Sequence, residues 1–258
     1  MLLYASLAAC ALIAALLIYR YDLYDKEPPL LLLLAFALGA AAMWLIGHIE
    51  DATLSLTGTL RREPAVIALV AATHEEAIRL LVVFALALFF RRRFNDPMDG
   101  LIYGSIIGLG MAVEESRFFM NLWRTPEGLL PPTELVRLCG HLVMGGMTCY
   151  GVGLIMTPVT RRWPAIFAAT VAASLAIHFL WDFNAFAAHR TGDDNLIHNL
   201  AAAALMFAGL VLYGFLVMKS SGRSRRHFAP TSHRSLWGWP FKRVGQSPAQ
   251  IEAPSQVP

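Results

Sequence analysis

Residues 65–90 read AVIALVAATHEEAIRLLVVFALALFF. The stretch is long enough to cross a bilayer, which takes about 20 mostly apolar residues. Near its middle stands Thr73-His74-Glu75-Glu76-Ala77-Ile78-Arg79-Leu80. Adjacent carboxylates in hydrocarbon cost several kcal/mol unless paired or protonated. Arg79 follows Glu75 by four residues and Glu76 by three, so on a helix it neighbours both and can neutralise one. The other is free to hold a proton or a water. A self-contained ion pair serving only as helix glue is the plain alternative. Either way, the flanking apolar runs make this a membrane helix with a charged centre.

Working outward, six further stretches are apolar enough to span: 2–19, 29–49, 98–123, 135–157, 163–186 and 196–218. Pro28-Pro29, Pro64, Pro97, Pro131-Pro132 and Pro164 punctuate their ends, as expected for helix boundaries. The fold expected is all-α, a polytopic integral membrane bundle of about seven transmembrane helices. Composition agrees: 57% of the 258 residues are hydrophobic and 15% charged, against about 25% charged in soluble domains. A net charge of +3 gives nucleic-acid binding no support. The spans at 65–90 and 98–123 carry several charges and score lower in hydropathy, which marks them as functional. Cys10, Cys139 and Cys149 have no metal-binding spacing and read as small core residues. Leu7-Ala8-Ala9-Cys10 looks like a lipoprotein processing box, but no charge precedes it and the apolar run continues to Ile18. Residues 2–19 therefore read as a first helix that stays attached.

Cytoplasmic loops are enriched in Lys and Arg. One side of a seven-span chain holds Arg20, Lys26, Arg91, Arg92, Arg93, Arg161, Arg162, Lys219, Arg223, Arg225 and Arg226; the other holds Arg61, Arg62, Arg124, Arg137 and Arg190. The bias puts the N-terminus outside and the C-terminus in the cytoplasm. The helical domain is expected over 1–219. Residues 220–258, basic and rich in Pro and Ser, read as a disordered cytoplasmic tail, within which Leu236–Arg243 mixes aromatics and cations in a way that suits a membrane surface.

Three other spans carry buried polar groups. Gly108-Leu109-Gly110-Met111-Ala112-Val113-Glu114-Glu115-Ser116-Arg117 closes the fourth, which also holds Gly100 and Gly104; glycines spaced by four let helices approach closely. His141 lies near the start of the fifth. His178 and Asp182, four apart near the end of the sixth, share a helix face, and such a carboxylate can orient a metal-bound imidazole. Counted at 1.5 Å per residue, Glu75, Glu115, His141 and His178 lie roughly 8–15 Å below the outer ends of their spans. Four helices thus contribute to one layer in the outer half of the bilayer. Two His and a Glu can hold zinc or another divalent ion, and a second Glu can take the proton of an attacking water. A metal-free version, with Glu75 or Glu76 activating water and His141 or His178 holding the oxyanion, is equally open chemically.

The ordered set Glu75-Glu76-x-x-Arg79, Gly108 to Ser116, His141, then His178-x-x-x-Asp182 resembles the PrsW family of intramembrane proteases, relatives of the CAAX-prenyl and bacteriocin-processing proteases. The resemblance covers about residues 19–185. It takes in Tyr21-Asp22-Leu23-Tyr24-Asp25-Lys26-Glu27-Pro28 and Asp96-Pro97-Met98-Asp99-Gly100-Leu101-Ile102-Tyr103-Gly104. Arg79 stands where the family more often has Lys, Met111 where it has Phe, and Ser116 where it has Asn; Glu114 is an additional carboxylate.

The resemblance implies a bacterial plasma-membrane protease whose substrate is a membrane protein, for example an anti-sigma factor cut on its extracytoplasmic side. It implies Glu75 and Glu76 as the catalytic pair and Glu115, His141 and His178 as the metal-binding residues, with Arg79 and Asp182 supporting them. The cofactor expected is zinc or another divalent metal; the surroundings are the lipid bilayer. Two other classes stay open: a non-catalytic relative binding a membrane protein or lipid-like partner, and a proton- or ion-coupled transporter. No repeat relates spans 1–3 to 5–7, which weighs against the transporter. His48, Glu50 and Asp51 read as the polar end of the second span.

Overall fold

In a computed structural model, which describes residues 1–58, 62–158, 160–191 and 196–228, the chain forms seven helices. They are α1 (Leu2–Tyr21), α2 (Pro29–Leu56), α3 (Pro64–Phe89), α4 (Pro97–Leu122), α5 (Pro132–Met156), α6 (Trp163–Thr191) and α7 (Leu196–Phe228). There is no strand among the described residues. Helices α2 to α5 each begin on a proline in the first turn, where the missing N–H has no intrahelical partner to lose. Asp96 caps α4: its side chain accepts from the Met98 amide at 3.0 Å, and Asp99 accepts from the Asp96 amide at 2.8 Å.

Five helices, α1, α2, α5, α6 and α7, are long and apolar enough to cross a membrane. The two that fall short on composition are α3 and α4, as their charges predict. In α3 the charges are turned inward, with Glu75, Glu76 and Arg79 all buried. Leu12, Leu33, Leu81 and Phe207 are among the apolar side chains left on the outside, where lipid is their natural solvent. The chain is a multi-pass membrane protein.

Helix α4 is the axis of the bundle. Nearly every residue from Pro97 to Ala112 is buried, and α4 packs chiefly against α5 and α2, with α1, α3 and α7 also touching it. Glycine sets the α4–α5 distance. A Cβ on Gly104 would strike the Gly145 carbonyl and the Cys149 side chain, and one on Gly108 would strike the His141 carbonyl. Backbone therefore meets backbone, the close approach that small residues allow in membranes. Gly39 and Gly110 do the same between α2 and α4.

Helix α6 runs five residues past its expected end, to Thr191, and two further boundaries differ in ways that matter more. Helix α2 continues to Leu56, so His48, Glu50 and Asp51 lie inside it instead of at its end. Helix α7 continues to Phe228, nine residues into the segment expected as tail. The extension is held because Ser220, Ser221 and Ser224 are buried against the bundle and the Ser224 hydroxyl donates to Asp96. The rest of the expected tail, including Leu236–Arg243, lies outside the described residues.

Candidate metal centre

Adjacent residues on a helix diverge by about 100°, and Glu75 and Glu76 use that divergence. Glu76 turns into the bundle. It accepts hydrogen bonds from Arg79 and from Thr148 Oγ1 of α5 at 2.5 Å, and its Oε1 lies 3.0 Å from His178 Nδ1 of α6. Glu75 turns toward a cavity. It is 2% exposed, and its Oε2 has no hydrogen-bond partner. That oxygen lies 3.6 Å from His141 Nδ1, 3.7 Å from His178 Nε2 and 3.9 Å from Arg79 Nη2.

Each imidazole is held by a carboxylate on the nitrogen that does not face Glu75. For His141 this is Nε2, 2.8 Å from Glu115 Oε2 of α4; for His178 it is Nδ1, against Glu76. The carboxylate on one nitrogen favours the proton there and leaves the other nitrogen with its lone pair. Arg79 Nη2 approaches the His141 Nδ1 lone pair at 3.1 Å. Asp182 Oδ2 lies 3.4 Å from His178 Nε2. The two rings meet edge to face, 5.7 Å between centroids.

All seven residues singled out in the sequence thus come together: Glu75, Glu76, Arg79, Glu115, His141, His178 and Asp182. Their arrangement adds detail. The group whose ligand atoms lie within 4.8 Å of one another is Glu75, His141 and His178; Glu115 lies on the outer edge of His141. Glu76, not Asp182, makes the nearer contact to His178, at 3.0 Å against 3.4 Å. The sequence reading missed Thr148, whose hydroxyl inside an apolar helix was the available signal. It also missed Arg137, which lies 3.4 Å from Glu115 through Nε and pairs with Glu134.

With this geometry in hand, comparison with known families is decisive: the model of the PrsW family intramembrane metalloproteases matches residues 27–220. The chain belongs to the PrsW family. No curated protein and no solved structure matches it. The PrsW match begins in the α1–α2 connection and ends at Ser220, so it takes in all seven of these residues and leaves α1 outside. The PrsW family is one of intramembrane proteases, which makes a hydrolase acting on membrane proteins the general function of this chain.

A cavity of about 590 Å³ opens onto this cluster between α2, α3, α4 and α6. Glu75, Glu115 and Asp182 reach it from the site; Trp44, Phe118, Phe119 and Phe186 line it elsewhere. Glu50 of α2 is also in its wall. The signal for Glu50 was present in the sequence: with Met43, Gly47 and Leu54 it repeats at four, three and four residues, a single helix face.

Proposed function

We propose that this protein is a metal-dependent intramembrane endopeptidase, and that Glu75, His141 and His178 hold its ion. One observation carries the reading: Glu75 Oε2 is buried without a hydrogen-bond partner, facing the lone-pair nitrogens of two imidazoles. A carboxylate oxygen and two imidazoles form a donor set suited to zinc or a similar divalent ion. When bound, such an ion supplies Lewis-acid polarisation of a carbonyl and a lowered pKa for water. The ligand role read for Glu115 passes to Glu75 in this reading, and Glu115 fixes the orientation of His141.

The chain's own groups divide the remaining work. Arg79 and Thr148 hold Glu76, and Glu76 holds the Nδ1–H of His178. Asp182 faces the cavity beside His178 Nε2, and is the carboxylate placed to take the proton of an entering water. The water oxygen bonds to the peptide carbonyl carbon, the C–N bond breaks, and the Asp182 proton goes to the departing amine. The aromatic side chains of the cavity wall lower the local polarity and raise the strength of each polar contact.

A second reading is favoured by the Arg79 contact with His141 Nδ1, which occupies a nitrogen the ion would need. In that version Glu75 Oε2 takes the proton from water directly and the imidazoles stabilise the oxyanion. The substrate in either case is a membrane-anchored protein cut near its extracytoplasmic side, an anti-sigma factor being the case suggested by the resemblance. The Lys and Arg bias of the loops supports an N-terminus outside, and the family resemblance supports a bacterial plasma-membrane location. The test is cleavage of single-span proteins in matched membranes by native protein, Glu75→Gln, Glu76→Gln and His178→Ala at equal abundance. A fragment that vanishes in all three variants supports the site; a fragment unchanged in all three rejects it.

A further inference from the structure

The cavity wall holds more acid than hydrolysis requires. Six carboxylates line it: Glu50, Asp51, Glu75, Glu114, Glu115 and Asp182. Among the described residues the lining holds one Lys or Arg, Arg117, and it is already committed to Glu114 through two contacts of 2.7 and 2.5 Å. Glu115 has Arg137 and His141, Asp182 has His178, and Glu75 faces the imidazoles. Asp51 is exposed, and Glu50 has none of these partners. Its Oε1 is buried without a hydrogen-bond partner, and no cationic side chain makes an ion pair with it among the described residues. It is close enough to Glu115 and Asp182 for their charges to act on it.

A carboxylate buried without a counter-charge is costly, and a cation that enters beside it relieves that cost. Glu50 is not among the three donors grouped closely enough to share an ion. The aromatic walls suit the apolar stem of a long cationic side chain, which buries its methylenes while its head seeks a polar partner. Lys and Arg are also the residues that flank membrane spans.

We propose that Glu50 is a specificity-determining residue whose carboxylate receives a lysine or arginine side chain of the substrate beside the bond to be cut. The subsite rests on the protease reading above. Glu50 binds and positions; it takes no part in proton transfer.

The test uses the full-length protein in nanodiscs and a synthetic single-span peptide, bearing lysine or its uncharged isostere norleucine at each juxtamembrane position in turn. Binding is followed by fluorescence anisotropy and cutting by gel on the same peptides. At one or two positions the lysine peptide is expected to bind about tenfold more tightly than the norleucine peptide. Glu50→Gln brings that ratio close to one, Glu50→Asp keeps most of it, and Glu50→Lys inverts it toward a glutamate-bearing peptide. Equal binding of the two peptides to native protein, or an unchanged ratio in Glu50→Gln, overturns the subsite. The parent reading fails separately: a lysine preference in binding with no cutting leaves the subsite and removes the protease, whereas cutting without a preference removes the subsite alone.

Discussion

Nε2 of His141 lies 2.8 Å from Oε2 of Glu115, which turns the ring's other nitrogen toward Glu75. The mirror arrangement holds at His178, where Glu76 takes Nδ1 and Nε2 is left to face Glu75. Two acids on two helices thus leave two imidazole lone pairs facing a third acid.

That arrangement predicts the metal requirement. Protein purified without chelator is expected to hold about one divalent ion per chain, counted by plasma mass spectrometry. His141→Ala and His178→Ala each lower that content, because a three-donor site loses one donor. Removing the ion with a chelator is expected to cut turnover by at least about a hundredfold, with recovery on adding zinc. Full turnover in ion-free protein selects the metal-free reading instead.

Arg79 is fully buried and pairs with Glu76. Arg79→Met leaves that carboxylate without its counter-charge and is expected to cost about 3–5 kcal/mol of stability. Arg79→Lys keeps the charge and restores most of it, while losing the fork that reaches both Glu76 and His141. Denaturant unfolding in detergent, with all three proteins at one pH, measures the difference. A Met variant as stable as the native protein would mean that Glu76 is neutral in the bundle.

Gly104→Ala and Gly108→Ala place a methyl group against the backbone of α5. Each is expected to destabilise the protein by about 1–3 kcal/mol. Gly108→Ala should also depress turnover in the folded fraction, since the atom it displaces is the carbonyl of His141. Gly214 has nothing within 4 Å of its added Cβ, and Gly214→Ala serves as the neutral control. Thermal unfolding and specific activity, read together, separate the two effects.

At the other end of the bundle, the α1–α2 connection carries a pH dependence. Burial raises Glu27 from 4.5 to about 7, against the opposing hydrogen bond from the Tyr103 hydroxyl, with the nearby Asp22 charge adding to the rise. Burial also raises Asp22 from 3.8 to about 6, opposed by the Glu27 amide it accepts from at 2.6 Å. The folded state thus binds these protons more tightly than the unfolded state. Their stabilising effect is complete below about pH 4 and is lost as pH rises through 6 to 7. The unfolding temperature should fall between pH 5 and pH 8, and Glu27→Gln should flatten that fall. An equal fall in the variant assigns the pH dependence to other groups.

The seven helices were legible because apolar runs and prolines are local signals, and each proline expected at a boundary stands in a first turn or beside one. The convergence of Glu75, Glu115, His141 and His178 was legible from their common depth. What depth does not encode is rotation about each helix axis. It could not tell that Glu75 faces the imidazoles while Glu115 backs one of them, or that Glu76 outranks Asp182 as the partner of His178. Glu50 was misread because the second span was ended at residue 49. A polar residue after an apolar run resembles an end, yet here α2 continues because its polar face borders a cavity instead of lipid. The end of α7 was missed for a related reason: Ser220, Ser221 and Ser224 read as polar tail, yet all three are buried and Ser224 donates to Asp96.

The glycine contact between α4 and α5 has an evolutionary consequence. Main chain against main chain leaves little room for side chains to grow at the seam, so the spacing of Glu115 and His141 is set largely by backbone contact. Room for variation lies instead along the cavity wall of α2, where Met43, Trp44 and Glu50 border open space.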